Sequence, residues 1–364
     1  MNLSARAKRP PRPVVANNPG ARRPLLNFFH FEIDGGFMRK IAVLTRIISL
    51  CLVMHTPLAH SADVVVTSDA DTGANTLRDA LATANAGDTI VFALPAGSTI
   101  SLATGLTVTK NLTIDGAGSS GLTISGNHAV AVVTINGPVS ATISNLTIAD
   151  GTNGISAVGS LTLLKCTVRG SVTGISSYGT LHVANSTILG NSTPTVGGGI
   201  RMYAGSATIV NNTFVNNAAH YGGAIETDSS SASSVTNNLF QGNSATQFGG
   251  SIYDLNNKVA ADHNLYWNNP DLSGPGCYQC ASDTNAILAD PLLDSLGDHG
   301  GPTQTFFPGL GSAAIDAGDD TTCAAAPVTN LDQRGIARPF GSQCDIGAVE
   351  SDDPVFADGF EPLI

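Results

Sequence analysis

The sequence predicts an all-β chain wound into a parallel β-helix, a solenoid of short strands stacked rung upon rung. Three observations predict it. Six segments share one pattern: Asn145-Leu-Thr-Ile148, Lys165-Cys-Thr-Val168, Asn185-Ser-Thr-Ile188, Asn211-Asn-Thr-Phe214, Asn237-Asn-Leu-Phe240 and His263-Asn-Leu-Tyr266. Their first positions lie 20, 20, 26, 26 and 26 residues apart, and an earlier copy starts at Asn111. Each alternates small or polar residues with one large apolar residue, the pattern of a short strand. Second, Asn191, Asn217, Asn243 and Asn269 recur every 26 residues. Third, Gly-Ile or Gly-x-Ile pairs follow in each unit at Gly154, Gly174, Gly199, Gly223 and Gly250, and a third strand starts near Leu161, Leu181, Ala207 and Ser233.

Three strands per unit of 20–26 residues, with no helix-length stretch between them, exclude βαβ folds and fit stacked rungs. Stacked Ile, Val, Leu and Phe fill the bore. Stacked Asn amides bond to one another along the axis, a structural ladder of Asn191, Asn217, Asn243 and Asn269. A β-sandwich is the rival, but hairpin turns should then punctuate the chain. Seven or eight rungs are expected over 101–270. Composition agrees: 40 Gly, 5% aromatic and only 12% charged residues suit neither a helical bundle nor a disordered chain.

An open solenoid end exposes unpaired strands, so caps are expected. Residues 63–100 supply the N-terminal one: a strand at 63–67, a short helix over Thr76-Leu-Arg-Asp-Ala-Leu-Ala-Thr-Ala84, and a strand over Gly87-Asp-Thr-Ile-Val-Phe92. Leu77, Ala80, Leu81 and Ala84 share one helix face. Beyond Pro270 the repeat stops, and 271–350 reads as an irregular C-terminal cap. Residues 351–364 read as an acidic tail.

The N-terminus carries an export signal. Met38-Arg39-Lys40 precedes an apolar run over 41–54 and the small-residue stretch Ala59-His60-Ser61-Ala62. That order is a signal peptide over 38–62, too short to span a bilayer. Residues 1–37, rich in Arg and Pro, read as a stretch upstream of the true start at Met38. The alternative is a basic extension that is removed or disordered. Residues 1–62 hold nine of the 17 Lys and Arg and two of the 28 acids. The remainder has 8 basic and 26 acidic residues, a net of −18. Such a chain does not bind nucleic acid through a basic face, and no transmembrane segment is expected in the mature chain.

Export permits disulfides. Cys323 and Cys344 flank one loop and are expected to pair. Cys277-Tyr-Gln-Cys280 reads as a redox, metal or tight-disulfide pair, and the lack of a second CxxC favours a structural bridge. Cys166, in a strand pattern, is expected as a buried thiol.

Two segments carry a resemblance. Thr76-Leu-Arg-Asp-Ala-Leu and Gly87-Asp-Thr-Ile-Val-Phe resemble the opening of secreted bacterial right-handed parallel β-helix proteins. Asp290-Pro-Leu-Leu, Gly300-Gly-Pro-Thr-Gln-Thr305, Ala314-Ile-Asp-Ala-Gly318, Asp332-Gln-Arg-Gly335, Arg338-Pro339 and Asp345-Ile-Gly-Ala-Val-Glu350 are similar to the choice-of-anchor Q domain that ends many of them. The resemblance covers about 63–350. It implies a pectate-lyase-like solenoid on a secreted or cell-surface protein of a gram-negative bacterium, and no particular activity. Pro354-Val-Phe-Ala-Asp-Gly-Phe-Glu361 resembles a short C-terminal tag of exported proteins.

Candidates for chemistry are few. Gly116-Ala-Gly-Ser-Ser-Gly121 matches a dinucleotide fingerprint, but a strand follows where that motif needs a helix. Arg201 and Glu226 fall at one place in consecutive rungs, Tyr253 falls there in the next, and Asp254 adjoins it. A catalytic face would use Arg201, Glu226 and Asp254, with His220, Tyr221 and Tyr253 as sugar-contacting groups. The plain alternative is a stacked ion pair on a solvated face, and this reading takes precedence. No group has metal-ligand spacing and no cofactor is required. Asp316-Ala-Gly-Asp319-Asp320 offers oxygen ligands to calcium, without EF-hand spacing. Arg334 and Arg338, among Asp316, Asp332, Asp345 and Glu350, read as an ion network holding the cap. The function expected is an exported β-helix module with a structural, adhesive or glycan-contacting role. The second hypothesis is a polysaccharide lyase or glycoside hydrolase on the lateral face.

Overall fold

A computed structural model describes residues 61–351. The upstream stretch, the expected signal segment up to residue 60 and the tail from residue 352 lie outside the described residues. The described residues form a parallel β-helix of three long sheets with ten, eight and eight strands, beside a two-stranded ladder of Ala218–Ala219 on Ser244–Ala245. A typical rung contributes Ser160–Leu164 to the first sheet, Thr167–Arg169 to the second and Thr173–Ser177 to the third. Every strand pairs in parallel with its equivalent in the next rung, as Val168 does with Ile188 and Ile175 with Ile200.

The bore is filled by like upon like. Ile148, Val168, Ile188, Phe214, Phe240 and Tyr266 form one column from the second sheet, each almost fully buried. The rings of Phe214 and Phe240 stack at 4.9 Å, and those of Phe240 and Tyr266 at 5.3 Å. Ile155, Ile175, Ile200, Ile225 and Ile252 form the matching column of the third sheet.

The repeated Asn is not a strand residue. Asn145, Lys165, Asn185, Asn211, Asn237 and His263 all have positive φ, between 47° and 60°. They turn the chain from the first sheet into the second, a left-handed corner that Asn tolerates best. The residue after each corner points inward. Asn212, Asn238 and Asn264 therefore build a second amide ladder, unanticipated from sequence: Asn212 Nδ2 donates to Asn238 Oδ1 at 3.0 Å, and Asn238 Nδ2 to Asn264 Oδ1 at 3.2 Å. The expected ladder also forms. Asn191, Asn217 and Asn243 donate in turn to the Oδ1 of the next rung at 3.0, 2.9 and 3.1 Å, ending on Asn269. His263 is thus a corner residue, and His182 faces outward on the first sheet between Thr162 and Thr208.

The N-terminal strands Asp63–Val66 and Thr89–Phe92 pair with each other in parallel and continue the first sheet. They are thus rungs themselves, which is why the solenoid exceeds seven or eight. Between them Leu77–Thr83 is helical, capped by Thr76 Oγ1, with Leu77, Ala80 and Leu81 buried. The fingerprint-like glycines form a single 3₁₀ turn before Thr123–Ser125, as a rung turn should.

The C-terminal segment is irregular, as expected, but it covers a flank rather than an end. After Ile287 pairs with Leu265, the chain returns along the outward side of the second sheet. It lays the Pro302 carbonyl on Gly121 N–H, Gln333 Oε1 on Thr187 and Ala348 N–H on Thr213. Ala314 and Ile346 pack on the outward Leu239 and Leu265. Cys323 and Cys344 are bonded to each other and sit against Asn211 and Asn237. The ion network holds this strap together: Arg338 donates to Glu350 Oε2 at 3.1 Å and Arg334 to Asp332 Oδ2 at 2.8 Å, all four groups being nearly solvent-free. Cys277 and Cys280 are also bridged, and Cys166 is a buried free thiol whose pKa burial pushes up to about 12.

Candidate functional site

The third sheet carries the candidate face. Alternation along a strand sends neighbours to opposite sides, so Ile200 and Met202 enter the bore while Arg201 faces out. Rung stacking then fixes the outward column Ser176, Arg201, Glu226, Tyr253 and Tyr278. Rungs repeat about every 4.8 Å. Arg201, Glu226 and Tyr253, grouped from the repeat alone, are neighbours as expected.

Glu226 is the chemically distinct member. Its side chain is 5% exposed, and its Oε2 stands 3.5 Å from Arg201 Nε, an ion pair without a hydrogen bond. Burial pushes its pKa up to about 7, against the pull of Arg201 and helped by repulsion from Asp228. Burial outweighs the guanidinium because the pair is too long and too bent to share a proton. Asp228, two residues on and exposed, was missed in the sequence reading.

Aromatic rings surround this pair. Arg201 lies 3.9 Å over the ring of Tyr203, which stacks on Tyr178 at 4.3 Å. On the other side Tyr221 meets Tyr253 at 5.1 Å, Tyr253 meets Tyr278 at 5.7 Å and Phe248 meets Tyr278 at 4.8 Å. His220 packs edge-on to Tyr221 at 4.5 Å, and its Nδ1 is 2.7 Å from Thr246 Oγ1. His220, Tyr221 and Tyr253 therefore gather on one wall. Tyr178, Tyr203, Phe248 and Tyr278 join it without having been picked out. Five of the six tyrosines stand here, and the sixth, Tyr266, fills the bore.

Asp254 does not belong to the face. It pairs in register with Thr227 rather than Glu226 and is 0% exposed. Its carboxylate accepts the backbone N–H groups of Asn256, Lys258 and Val259, which closes the turn into the first sheet. Strand parity is the reason: the residue after an outward Tyr253 must turn in.

The carboxylates considered for calcium also serve the local backbone. Asp319 Oδ2 caps the helix Asp320–Ala324 through Thr322 N–H, Asp320 accepts Cys344 N–H and Asp316 accepts Gln343 N–H. Among the described residues no three His, Cys, Asp or Glu side chains are grouped to hold a metal ion, and no helix is long and apolar enough to cross a membrane.

Residues 131–290 match the family model described as a right handed beta helix region, which fixes the class of fold as a right-handed β-helix. Among solved structures the chain is similar to one titled crystal structure of pectate lyase Pel9A, at 13% identity and a TM-score of 0.29, over 80% of this chain and 96% of that one. A likeness this loose bears on neither site nor activity. No curated protein matches the chain.

The raised Glu226 pKa sets a pH dependence. An acid whose native pKa exceeds its unfolded value binds more protons when folded, so stability falls as pH rises from about 4.5 to about 7. Over that window the native protein is expected to lose up to about 3 kcal/mol relative to Glu226→Gln. Melting curves of both proteins across pH 4–8 check this. Parallel curves would contradict it.

Proposed function

We propose that this chain is an exported, surface-facing β-helix module that contacts glycan chains through the aromatic wall of its third sheet. One observation carries the reading: five of six tyrosines, with Phe248, line one lateral face around the Arg201–Glu226 pair. Aromatic faces supply apolar area for the C–H faces of sugars at low entropic cost, and tyrosine hydroxyls bond to theirs. The spacing also suits an extended chain, since rungs add contacts at a regular step. The signal-like N-terminus and the resemblance of 290–350 to the choice-of-anchor Q domain support export and surface display. The acidic balance favours neutral glycans over strongly anionic ones.

The module is tested by incubating the protein with plant, algal and bacterial polysaccharides, calcium present, and measuring retention. At least one polysaccharide is expected to bind, with Tyr253→Ala and Tyr221→Ala each weakening binding about tenfold. Retention unchanged in both variants would sink the proposal.

A second reading rests on Glu226 and Asp228. Glu226 lies in the strand Ile225–Thr227 and Asp228 just past its end, and a pair of neighbouring carboxylates is what glycoside hydrolases use. A group with a pKa of about 7 holds a proton to donate near neutrality. New chain ends that vanish in Glu226→Gln would make the wall catalytic. Binding without new ends supports the module.

A further inference from the structure

The strap that covers the second sheet follows a column of threonines, and it leaves two of them unbonded. Thr123, Thr147, Thr167, Thr187 and Thr213 hold equivalent outward positions in five successive rungs. The last three are bonded to the strap: Thr167 Oγ1 donates to the Gln304 carbonyl at 3.0 Å, Thr187 Oγ1 to Gln333 Oε1 at 2.8 Å, and Thr213 Oγ1 accepts Ala348 N–H at 3.0 Å. Thr123 and Thr147 have no side-chain partner among the described residues. Over them lies a half-open cavity of about 370 Å³, walled on one side by Gly301, Pro302, Thr303 and Gln304 of the strap.

Arg169 lines the same cavity. It follows Thr167 by two residues on the outward side of its strand, and its guanidinium has no hydrogen-bond or ion-pair partner among the described residues. Elsewhere on the flank both arginines of the strap are ion-paired, Arg334 with Asp332 and Arg338 with Glu350. Asp298 stands at the rim, with Oδ1 accepting Gly300 N–H at 3.0 Å and Oδ2 open.

The walls are fixed. Gly121 N–H donates to the Pro302 carbonyl at 2.8 Å, Thr303 Oγ1 to the Lys165 carbonyl at 3.3 Å, and Gln333 Nε2 to Thr303 Oγ1 at 2.9 Å. Gly301 has φ 83°, and a Cβ there would lie 2.6 Å from Arg334 Cα, so only glycine takes the chain past that point. The cavity is thus built by the way the strap is tied down on either side of it.

We propose that this cavity is a binding site for a small hydroxylated carboxylate of about the size of a six-carbon sugar acid. One free guanidinium matches one planar carboxylate in a two-point contact. The open Thr123 and Thr147 hydroxyls and the Asp298 carboxylate then bond to ligand hydroxyls. A doubly charged phosphate is disfavoured, because Asp298 repels the second charge and only one cation answers it. The volume lies at the small end of ligand sites, which suits one unit rather than a chain. The site is on a different sheet from the aromatic wall and stands independently of the glycan reading.

Titration calorimetry on the full chain tests it, with gluconate as probe and with glucose and inorganic phosphate as comparison arms. Saturable gluconate binding is expected, weakened at least tenfold in Arg169→Gln and several-fold in Thr147→Val. Glucose and phosphate are expected to bind at least tenfold more weakly than gluconate. The Arg169→Gln protein should melt with the wild type, because the lost guanidinium has no partner. Tyr253→Ala should leave gluconate binding unchanged. Absence of gluconate binding, equal binding of glucose, tighter binding of phosphate, an unaffected Arg169→Gln protein, or loss of binding in Tyr253→Ala would each overturn the site.

Discussion

Replacing Arg338 by leucine is expected to destabilise the protein by about 3–5 kcal/mol, the cost of stranding a buried charge. Arg338 donates to the Asp345 and Gly347 carbonyls and to Glu350 Oε2 at 2.7–3.1 Å. Asp332, Asp345 and Glu350 around it are almost solvent-free. Burial already raises the Asp345 pKa to about 7, with repulsion from Glu350 adding to it, and burial likewise raises Glu350. Without the guanidinium both acids must protonate or pull in water, so the loss should shrink toward pH 4. The strap should also open before the rungs do, because its hold on the second sheet runs through this cluster. Urea unfolding at pH 7 and pH 4, with hydrogen exchange over 293–350, reads both effects. A loss under about 1 kcal/mol, or exchange that speeds equally in strap and rungs, would contradict the assignment.

The second large effect falls on the ladder. Asn217→Ala is expected to cost about 3 kcal/mol. Asn217 Oδ1 accepts both the backbone N–H and the Nδ2 of Asn191, at 3.2 and 3.0 Å. Its Nδ2 donates to the Ile188 carbonyl and to Asn243 Oδ1, both at 2.9 Å. Alanine leaves a buried N–H and a buried carbonyl with no partner, each costing about 1–3 kcal/mol. Solenoid stability is a sum of neighbour interfaces, so a break at mid-stack weakens the joints on both sides. Asn243→Ala should behave alike, since it repeats the same bonds one rung on. Unchanged melting temperatures in both variants would remove the ladder as a source of stability.

The parts of the structure that repeat were legible in the sequence. A 26-residue period places Asn191, Asn217, Asn243 and Asn269 above one another by arithmetic, and the Gly-Ile register does the same for Arg201, Glu226 and Tyr253, each just after Ile200, Ile225 or Ile252. Errors came where period alone does not tell inside from outside. Asp254 was grouped with Tyr253 by adjacency, whereas strand parity sends it inward. The corner asparagines were read as strand residues because a left-handed φ leaves no mark on the apolar pattern. The inward Asn212–Asn238–Asn264 ladder was hidden beside them for the same reason. Tyr178 and Tyr203 escaped because they sit just past the ends of the third-sheet strands Thr173–Ser177 and Ile200–Met202, outside the register that follows each Gly-Ile pair. The strap's bridge and ion network were legible, but its course was not. Thr167 and Gln304, or Thr213 and Ala348, are more than a hundred residues apart and share no period. Its motifs set the segment apart from the repeats without revealing the surface it covers.

The most direct test of the glycan-contacting wall is oxidative footprinting of tyrosines with and without bound polysaccharide. A polysaccharide retained by the protein is expected to protect Tyr178, Tyr203, Tyr221, Tyr253 and Tyr278 together. Tyr266, buried in the bore, should stay silent in both states. Protection that spares these five while falling on another face, or the absence of any retained polysaccharide, would contradict the account.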